Sequence, residues 1–135
     1  MSDSAVPAII SPKRILVVDD AVNVAEALRM MLSHHGHKVE TSGTGEEALS
    51  KFESGKYDLV ITDYSMPKMN GIELARAIKK RSAGQLVLLL TAFAFSIAAT
   101  YAQRLPVDFI LGKPFSPQEF EEAMAALFSA KKQAV

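Results

Sequence analysis

The chain is predicted to fold as an α/β protein, a doubly wound three-layer sandwich in which a five-stranded parallel sheet lies between five helices. Three observations predict it. The hydrophobic period switches repeatedly between that of a strand and that of a helix, the mark of consecutive βαβ units. Runs such as Leu59-Val60-Ile61 and Leu86-Val87-Leu88-Leu89-Leu90 are apolar at every position, which suits strands covered on both faces. The apolar runs also end on polar side chains: Arg14 to Val18 runs into Asp19-Asp20, the run from Leu59 ends on Asp63, Leu86 to Leu90 runs into Thr91, and Val107 to Leu111 is followed by Lys113-Pro114. In an open parallel sheet ligands bind just past the carboxyl ends of the strands. Acids, a hydroxyl and an ammonium gathered at that edge make a candidate site for a phosphoryl group and a divalent cation.

Each element has its own signal. Strand one is Arg14 to Val18. Helix one runs from about Val22 to His35, with Ala25, Leu28 and Leu32 at core spacing and Gly36 as its stop. Strand two is Lys38 to about Ser42. Helix two opens on Thr44-Gly45-Glu46-Glu47, read as a capping box, and turns Ala48, Leu49 and Phe52 inward. Strand three is Asp58 to Thr62. Helix three opens at Asn70, with Glu73 three residues on, and buries Leu74, Ala77 and Ile78. Strand four is Leu86 to Leu90. Helix four, about Phe95 to Gln103, carries two apolar stripes: Phe95, Ala98, Ala99 and Ala102 on one, Ile97 and Tyr101 on the other. A surface helix needs only one apolar face, so the Ile97 and Tyr101 stripe is expected to meet a partner, the alternative being that it packs against strand five or helix five. Strand five is Val107 to Leu111. Helix five opens on Ser116-Pro117-Gln118-Glu119 and presents Phe120, Ala123, Met124, Leu127 and Phe128 to the core.

Composition narrows the function. A length of 135 residues suits one domain with a proper core, and 49% hydrophobic with 22% charged residues is ordinary for a globular protein. Lys plus Arg and Asp plus Glu balance at 15 each, which argues against an electrostatic claim on nucleic acid or an anionic membrane. There is no cysteine, hence no thiolate chemistry. Ala5 to Ile10 is too short for a signal-peptide core and contains Pro7, and no run spans a bilayer, so a cytoplasmic location is expected. Residues 1–12 read as a flexible arm, 13–131 as the domain and 132–135 as a tail.

Taken together, Asp19-Asp20, the stretch Asp63-Tyr64-Ser65-Met66-Pro67-Lys68-Met69-Asn70-Gly71, Thr91-Ala92, Lys113-Pro114-Phe115 and Gly45-Glu46-Glu47-Ala48-Leu49 resemble the signature of response-regulator receiver domains, over roughly Lys13 to Ala130. The resemblance implies the strand order 2-1-3-4-5. It implies that Asp63 is the phosphoacceptor, and that Asp20, Asp63 and the backbone carbonyl of Ser65 ligate Mg2+, with Asp19 acting mainly through a metal-bound water. Thr91 would hydrogen-bond a phosphoryl oxygen as the switch, and Lys113 would pair with the phosphoryl group. The Lys113–Pro114 peptide would be cis. A histidine kinase or histidine phosphotransfer protein would donate the phosphate. With no output domain expected in this chain, output would pass by protein contact through the helix four, strand five and helix five face, which is also the candidate surface for a homodimer. No nucleic acid or membrane partner is implied.

The chemistry requires these groups. Like charges about 4 Å apart cost about 4 kcal/mol at an effective dielectric near 20. A divalent cation removes that cost and draws in a phosphoryl donor. A carboxylate nucleophile attacks phosphorus without a general base. Three positions depart from the family pattern: Ala21 stands where a third acid is common, Ile110 beside Phe109 where an aromatic precedes the lysine, and Leu105-Pro106 where glycine and alanine are usual. The Ile110 departure shifts the expected switching onto the Thr91 loop and helix four. A Mg2+-dependent phosphohydrolase of the haloacid dehalogenase type uses similar groups, but its nucleophile lies on strand one as Asp-x-Asp-x-Thr; Asp19-Asp20-Ala21-Val22 lacks that order. The chain is therefore read as a signalling module rather than an enzyme. No Gly-x-Gly-x-x-Gly follows strand one, against a dinucleotide site. His34, His35 and His37 read as a helix end rather than a metal site, and Met66 with Met69 as loop packing.

Overall fold

Five short segments lie side by side in parallel: β1 (Arg14–Val18), β2 (Lys38–Ser42), β3 (Leu59–Asp63), β4 (Leu86–Thr91) and β5 (Phe109–Gly112), in the order β2-β1-β3-β4-β5. They belong to a computed structural model that describes residues 10–101 and 105–133. Between them run α1 (Val22–His34), α2 (Gly45–Lys51), α3 (Gly71–Arg81), α4 (Ala94–Tyr101) and α5 (Pro117–Gln133). The doubly wound sheet and its predicted order are both present.

Side chains alternate across the sheet, which is why its central strands are apolar throughout. Ile15, Val17, Ile61, Leu88 and Leu90 pack on one face with Ala25, Leu28 and Leu32 of α1 and Phe120, Ala123, Met124 and Leu127 of α5. Leu16, Val18, Val60 and Val87 pack on the other with Ala48 and Phe52 beneath α2, and Leu74, Ala75 and Ile78 of α3. Each Leu or Ile so buried is worth about 1.5–3 kcal/mol, and a strand with one polar face would forfeit half of that.

The caps form where predicted, except that the box expected at Thr44 does not close: Glu47 Oε1 accepts from the Gly43 N–H at 2.8 Å instead of from that of Thr44. Thr44 Oγ1 accepts from the Glu47 N–H at 3.0 Å. Asn70 and Glu73 cap each other reciprocally, at 2.9 Å both ways. Ser116 and Glu119 do the same at 2.8 and 3.0 Å.

Several expectations need correction. Strand three lies one residue later than predicted, at Leu59–Asp63, with the Asp58 carboxylate taking the Arg14 N–H instead of opening the strand. Helix one ends at His34 rather than His35, because the His35 N–H turns back three residues to the Leu32 carbonyl and closes the helix. Ala77 is only half-buried; Ala75 takes the core position, one turn after Ile72 and before Ile78. β5 begins at Phe109 rather than Val107, since the Asp108 carboxylate itself takes the Val87 N–H at 2.8 Å, in place of a strand partner. The largest correction concerns α4. Ile97 is buried against Ile72 and Leu89, with Ile110 and Val107 alongside, so it is a core anchor and not a partner surface. Phe95 is 88% exposed, and Ala98 and Ala99 are exposed with it. Spacing alone defines two stripes on a helix but not which of them meets the sheet. The stripe position Ala102 lies outside the described residues.

Ile10, within the predicted arm, packs against the α1–α5 side of the core, and the Lys13 ammonium lies 4.6 Å above the Phe128 ring. Positions 1–9 of that arm and 134–135 of the predicted tail lie outside the described residues. Among the described residues no helix is long and apolar enough to cross a membrane.

Candidate functional site

The carboxyl ends of β1, β3, β4 and β5 meet at one rim. Asp63 is the last residue of β3 and Thr91 the last of β4, while Asp19 and Lys113 each follow their strand. Parallel pairing brings these ends together: Asp63 stands opposite Leu90, next to Thr91, and Thr91 stands opposite Gly112, next to Lys113. The Lys113 N–H continues the ladder to the Thr91 carbonyl at 2.9 Å. The Lys113–Pro114 peptide is cis.

Lys113 Nζ lies 2.5 Å from Asp63 Oδ1 and 3.9 Å from Asp19 Oδ2. Asp19 and Asp63 are buried and Asp20 is exposed. Carboxylate oxygens of Asp19, Asp20 and Asp63 lie within 4.8 Å of one another. Three carboxylates against one ammonium leave two negative charges uncompensated, the charge of one divalent cation. Asp19 feels this most. Burial pushes its carboxyl above the ordinary carboxylate value, and the neighbouring charges of Asp63 and Asp20 push the same way; the Ala21 N–H and the Lys113 ammonium only partly oppose them. Asp19 Oδ1 accepts from the Ala21 N–H at 2.9 Å, but Oδ2 is buried without a hydrogen-bond partner. An orphaned carboxylate oxygen beside two further carboxylates suits a hard, oxygen-seeking ion such as Mg2+. The residues present fit that ion.

The loop after Asp63 is tightly tied. The Tyr64 N–H donates to the Leu90 carbonyl at 2.8 Å, the Gly71 N–H to the Tyr64 carbonyl at 2.9 Å, and the Met69 N–H to the Pro67 carbonyl at 2.7 Å. Lys68 adopts a positive φ of 69°. At Gly71 a Cβ would stand 2.4 Å from the Asp63 carbonyl oxygen, so only glycine permits α3 to start this close to the end of β3. Met66 is buried in the core beneath α2 and α3, and Met69 packs beside it, as loop packing predicts. Ser65 is exposed, two residues past Asp63. Thr91 is buried, and its Oγ1 accepts from the Phe93 N–H at 2.9 Å.

Every side chain singled out for this chemistry, Asp19, Asp20, Asp63, Thr91 and Lys113, therefore sits on one rim. The histidines lie apart from it. His37 Nδ1 accepts from the Lys13 N–H at 3.0 Å and His35 Nε2 lies 3.9 Å from Glu121; among the described residues neither joins a metal-binding cluster. What the sequence did not reveal was the contact of Met69 with Gly45 at the start of α2, since nothing in either local pattern points to the other.

Comparison with known proteins identifies the family. The family model described as the response regulator receiver domain matches residues 15–125. The alkaline phosphatase synthesis transcriptional regulatory protein PhoP of Bacillus subtilis is 36% identical over 115 residues, 85% of this chain and 48% of that protein. A CpxR homologue of Haemophilus influenzae is 38% identical over 114 residues, 84% of this chain and 49% of its own length. The chain thus spans about half the length of the curated relatives it matches. Among solved structures, the response regulator TrrA of Thermotoga maritima, in complex with Mg2+-BeF, has a TM-score of 0.76 at 41% identity, covering 85% of this chain and 98% of that one. The chemotaxis protein CheY4 of Vibrio cholerae has a TM-score of 0.78 at 26% identity, covering 87% and 99%. The shared sheet order, the match across most of the chain and these relatives lead to one conclusion: the chain belongs to the response-regulator receiver domain family of two-component signalling.

Proposed function

We propose that this chain is a phosphoacceptor of a cytoplasmic two-component or phosphorelay pathway, that Asp63 carries the phosphoryl group, and that the donor is a phosphohistidine of a histidine kinase or histidine phosphotransfer protein. The observation that carries this reading is the 2.5 Å approach of Lys113 Nζ to Asp63 Oδ1 at a rim shared with Asp19 and Asp20. Asp20, Asp63 and the Ser65 carbonyl would hold Mg2+, with Asp19 acting mainly through a water on the ion. Mg2+, when bound, supplies positive charge that offsets the clustered carboxylates and the oxygens of the incoming phosphoryl group.

The side chains supply the rest. An Asp63 carboxylate oxygen attacks phosphorus in line; the new O–P bond forms as the P–N bond to the donor imidazole breaks, and that electron pair leaves on the imidazole nitrogen. Lys113 then pairs with the phosphoryl oxygens rather than with Asp63 alone. The Thr91 hydroxyl uses a lone pair on the Phe93 N–H, so its own hydrogen is available to donate to a phosphoryl oxygen. Movement of Thr91 would carry the start of α4 with it, because the Ile97 N–H is bonded to the Phe93 carbonyl at 2.9 Å. The altered contacts would be read by an output protein on the α4, β5 and α5 face, where Phe95 is exposed. The module catalyses only its own phosphorylation and dephosphorylation.

Intact-mass analysis after incubation with acetyl phosphate and Mg2+ tests the reading. One added phosphoryl group is expected on the native chain and none on Asp63→Asn; equal labelling of the two overturns it. A chromogenic phosphate ester should not be turned over, which separates the module from a phosphohydrolase.

A further inference from the structure

Gly45, the first residue of α2, is buried and touches the loop that follows Asp63. Glycine is the poorest helix former after proline, and Gly45 has no positive φ to require it. The reason for glycine lies in its neighbour. A Cβ at this position would stand 2.6 Å from Met69 Sδ, 3.0 Å from Met69 Cγ and 3.1 Å from Met69 Cβ. Turning the flexible thioether would relieve the first two contacts. It cannot relieve the third, because Met69 Cβ moves only with the Met69 backbone.

That backbone has little slack. Met69 follows Lys68 at its positive φ, its N–H is held by the Pro67 carbonyl, and two residues later Gly71 is pressed against the Asp63 carbonyl while its N–H bonds that of Tyr64. A push at Met69 is therefore passed along the arch from Tyr64 to Gly71 rather than absorbed. We infer that Gly45 is a positioning residue for the cation site: by leaving room for Met69 it sets where the Ser65 backbone stands relative to Asp63. The inference rests on the reading of Asp63 and the Ser65 carbonyl as Mg2+ ligands. It assigns the α2 start a part in metal affinity although it supplies no ligand.

A double-mutant cycle on the whole chain tests it. By titration calorimetry, Gly45→Ala should weaken Mg2+ binding about tenfold, as loss of support behind a ligand commonly does. In a Met69→Gly background the same change should alter binding by less than about twofold, since the obstructing atoms are gone. In Mg2+-free protein, the backbone amide resonances of Ser65 and Lys68 should move on Gly45→Ala in the native background and stay in place in the Met69→Gly background. Thermal stability separates positioning from general damage: alanine favours α2, so affinity should fall without a matching fall in melting temperature. Equal weakening in both backgrounds, or native affinity in Gly45→Ala, overturns the inference. If the native chain binds no Mg2+, the ligand reading fails and the cation role falls with it, while the amide shifts still decide whether Gly45 and Met69 set the loop. Should Gly45→Ala not fold, folding restored by adding Met69→Gly supports the coupling, and continued misfolding overturns it.

Discussion

The two ends of this sheet treat charge in opposite ways. At the amino end, one device recurs three times: the residue just before a strand lends its side chain to an N–H in, or just before, the neighbouring strand. Asp58, before β3, accepts from the Arg14 N–H at 2.8 Å; Asp108, before β5, from the Val87 N–H at 2.8 Å; His37, before β2, from the Lys13 N–H at 3.0 Å. The two acids also meet cations there, Arg14 at 3.3 Å and Lys79 at 2.8 Å. At the carboxyl end, three carboxylates converge on a single ammonium, and a buried oxygen of Asp19 has no hydrogen-bond partner. One end satisfies its polar groups and steadies the ladder. The other holds unspent repulsion that a divalent cation would relieve. The same residue type, aspartate, stabilises at one rim and destabilises at the other.

The sharpest way to break this contrast is at Lys113. Lys113→Met should slow labelling by acetyl phosphate on the order of a hundredfold, the usual effect of removing one preorganised charge from a reacting group; a change under a few-fold would remove Lys113 from the site. Next come paired substitutions at the two rims, read by denaturant unfolding without divalent ions. Asp108→Ala should cost about 2 kcal/mol, because it strands the Val87 N–H and leaves the Lys79 ammonium only the Gln85 carbonyl. Asp19→Asn should instead raise stability by on the order of 1 kcal/mol, since it removes a buried charge and keeps the acceptor for the Ala21 N–H. The direction follows from linkage: burial raises the folded Asp19 carboxyl above its unfolded value, so its contribution is fully present below the unfolded value and is lost as pH rises through the folded one. Stability losses at both rims would end the contrast.

Mg2+ at ten times its dissociation constant should stabilise the native chain by about 1.4 kcal/mol. Asp58→Asn should keep that increment, and Asp19→Asn should shrink it. The smallest effect concerns His37. Burial, helped by the nearby charges of His35 and Lys13, depresses its imidazole below the ordinary 6.5. Its Nδ1 must stay unprotonated to accept from Lys13. Its contribution is therefore present above 6.5 and lost as pH falls through the folded value. His37→Asn, which keeps an acceptor, should flatten this part of the stability profile in melts taken from neutral to mildly acidic pH.

The carboxyl rim was more legible in sequence than the amino rim. Asp19, Asp63, Thr91 and Lys113 each end an apolar run, and parallel topology then puts such ends together. The helix starts were legible because a cap is a contact between residues three apart. Asp58, Asp108 and His37 were not, for their partners lie 44, 21 and 24 residues away. The same blindness made the expected β5 start two residues too early and hid the seat of Met69 on Gly45. On α4 the failure was different in kind. Periodicity found both apolar stripes, but the choice between Ile97 and Phe95 depends on where the helix lies over β4 and β5, which no local pattern contains.

That placement has a consequence for dynamics. Among the described side chains of α4, Ile97 is the buried one, whereas α3 buries five residues. A helix with few buried side chains can open locally without melting the sheet. Deuterium should enter the amides of α4 well before those of α3. Such early exchange would mean that the segment hydrogen-bonded to Thr91 can rearrange alone, against a framework that stays put.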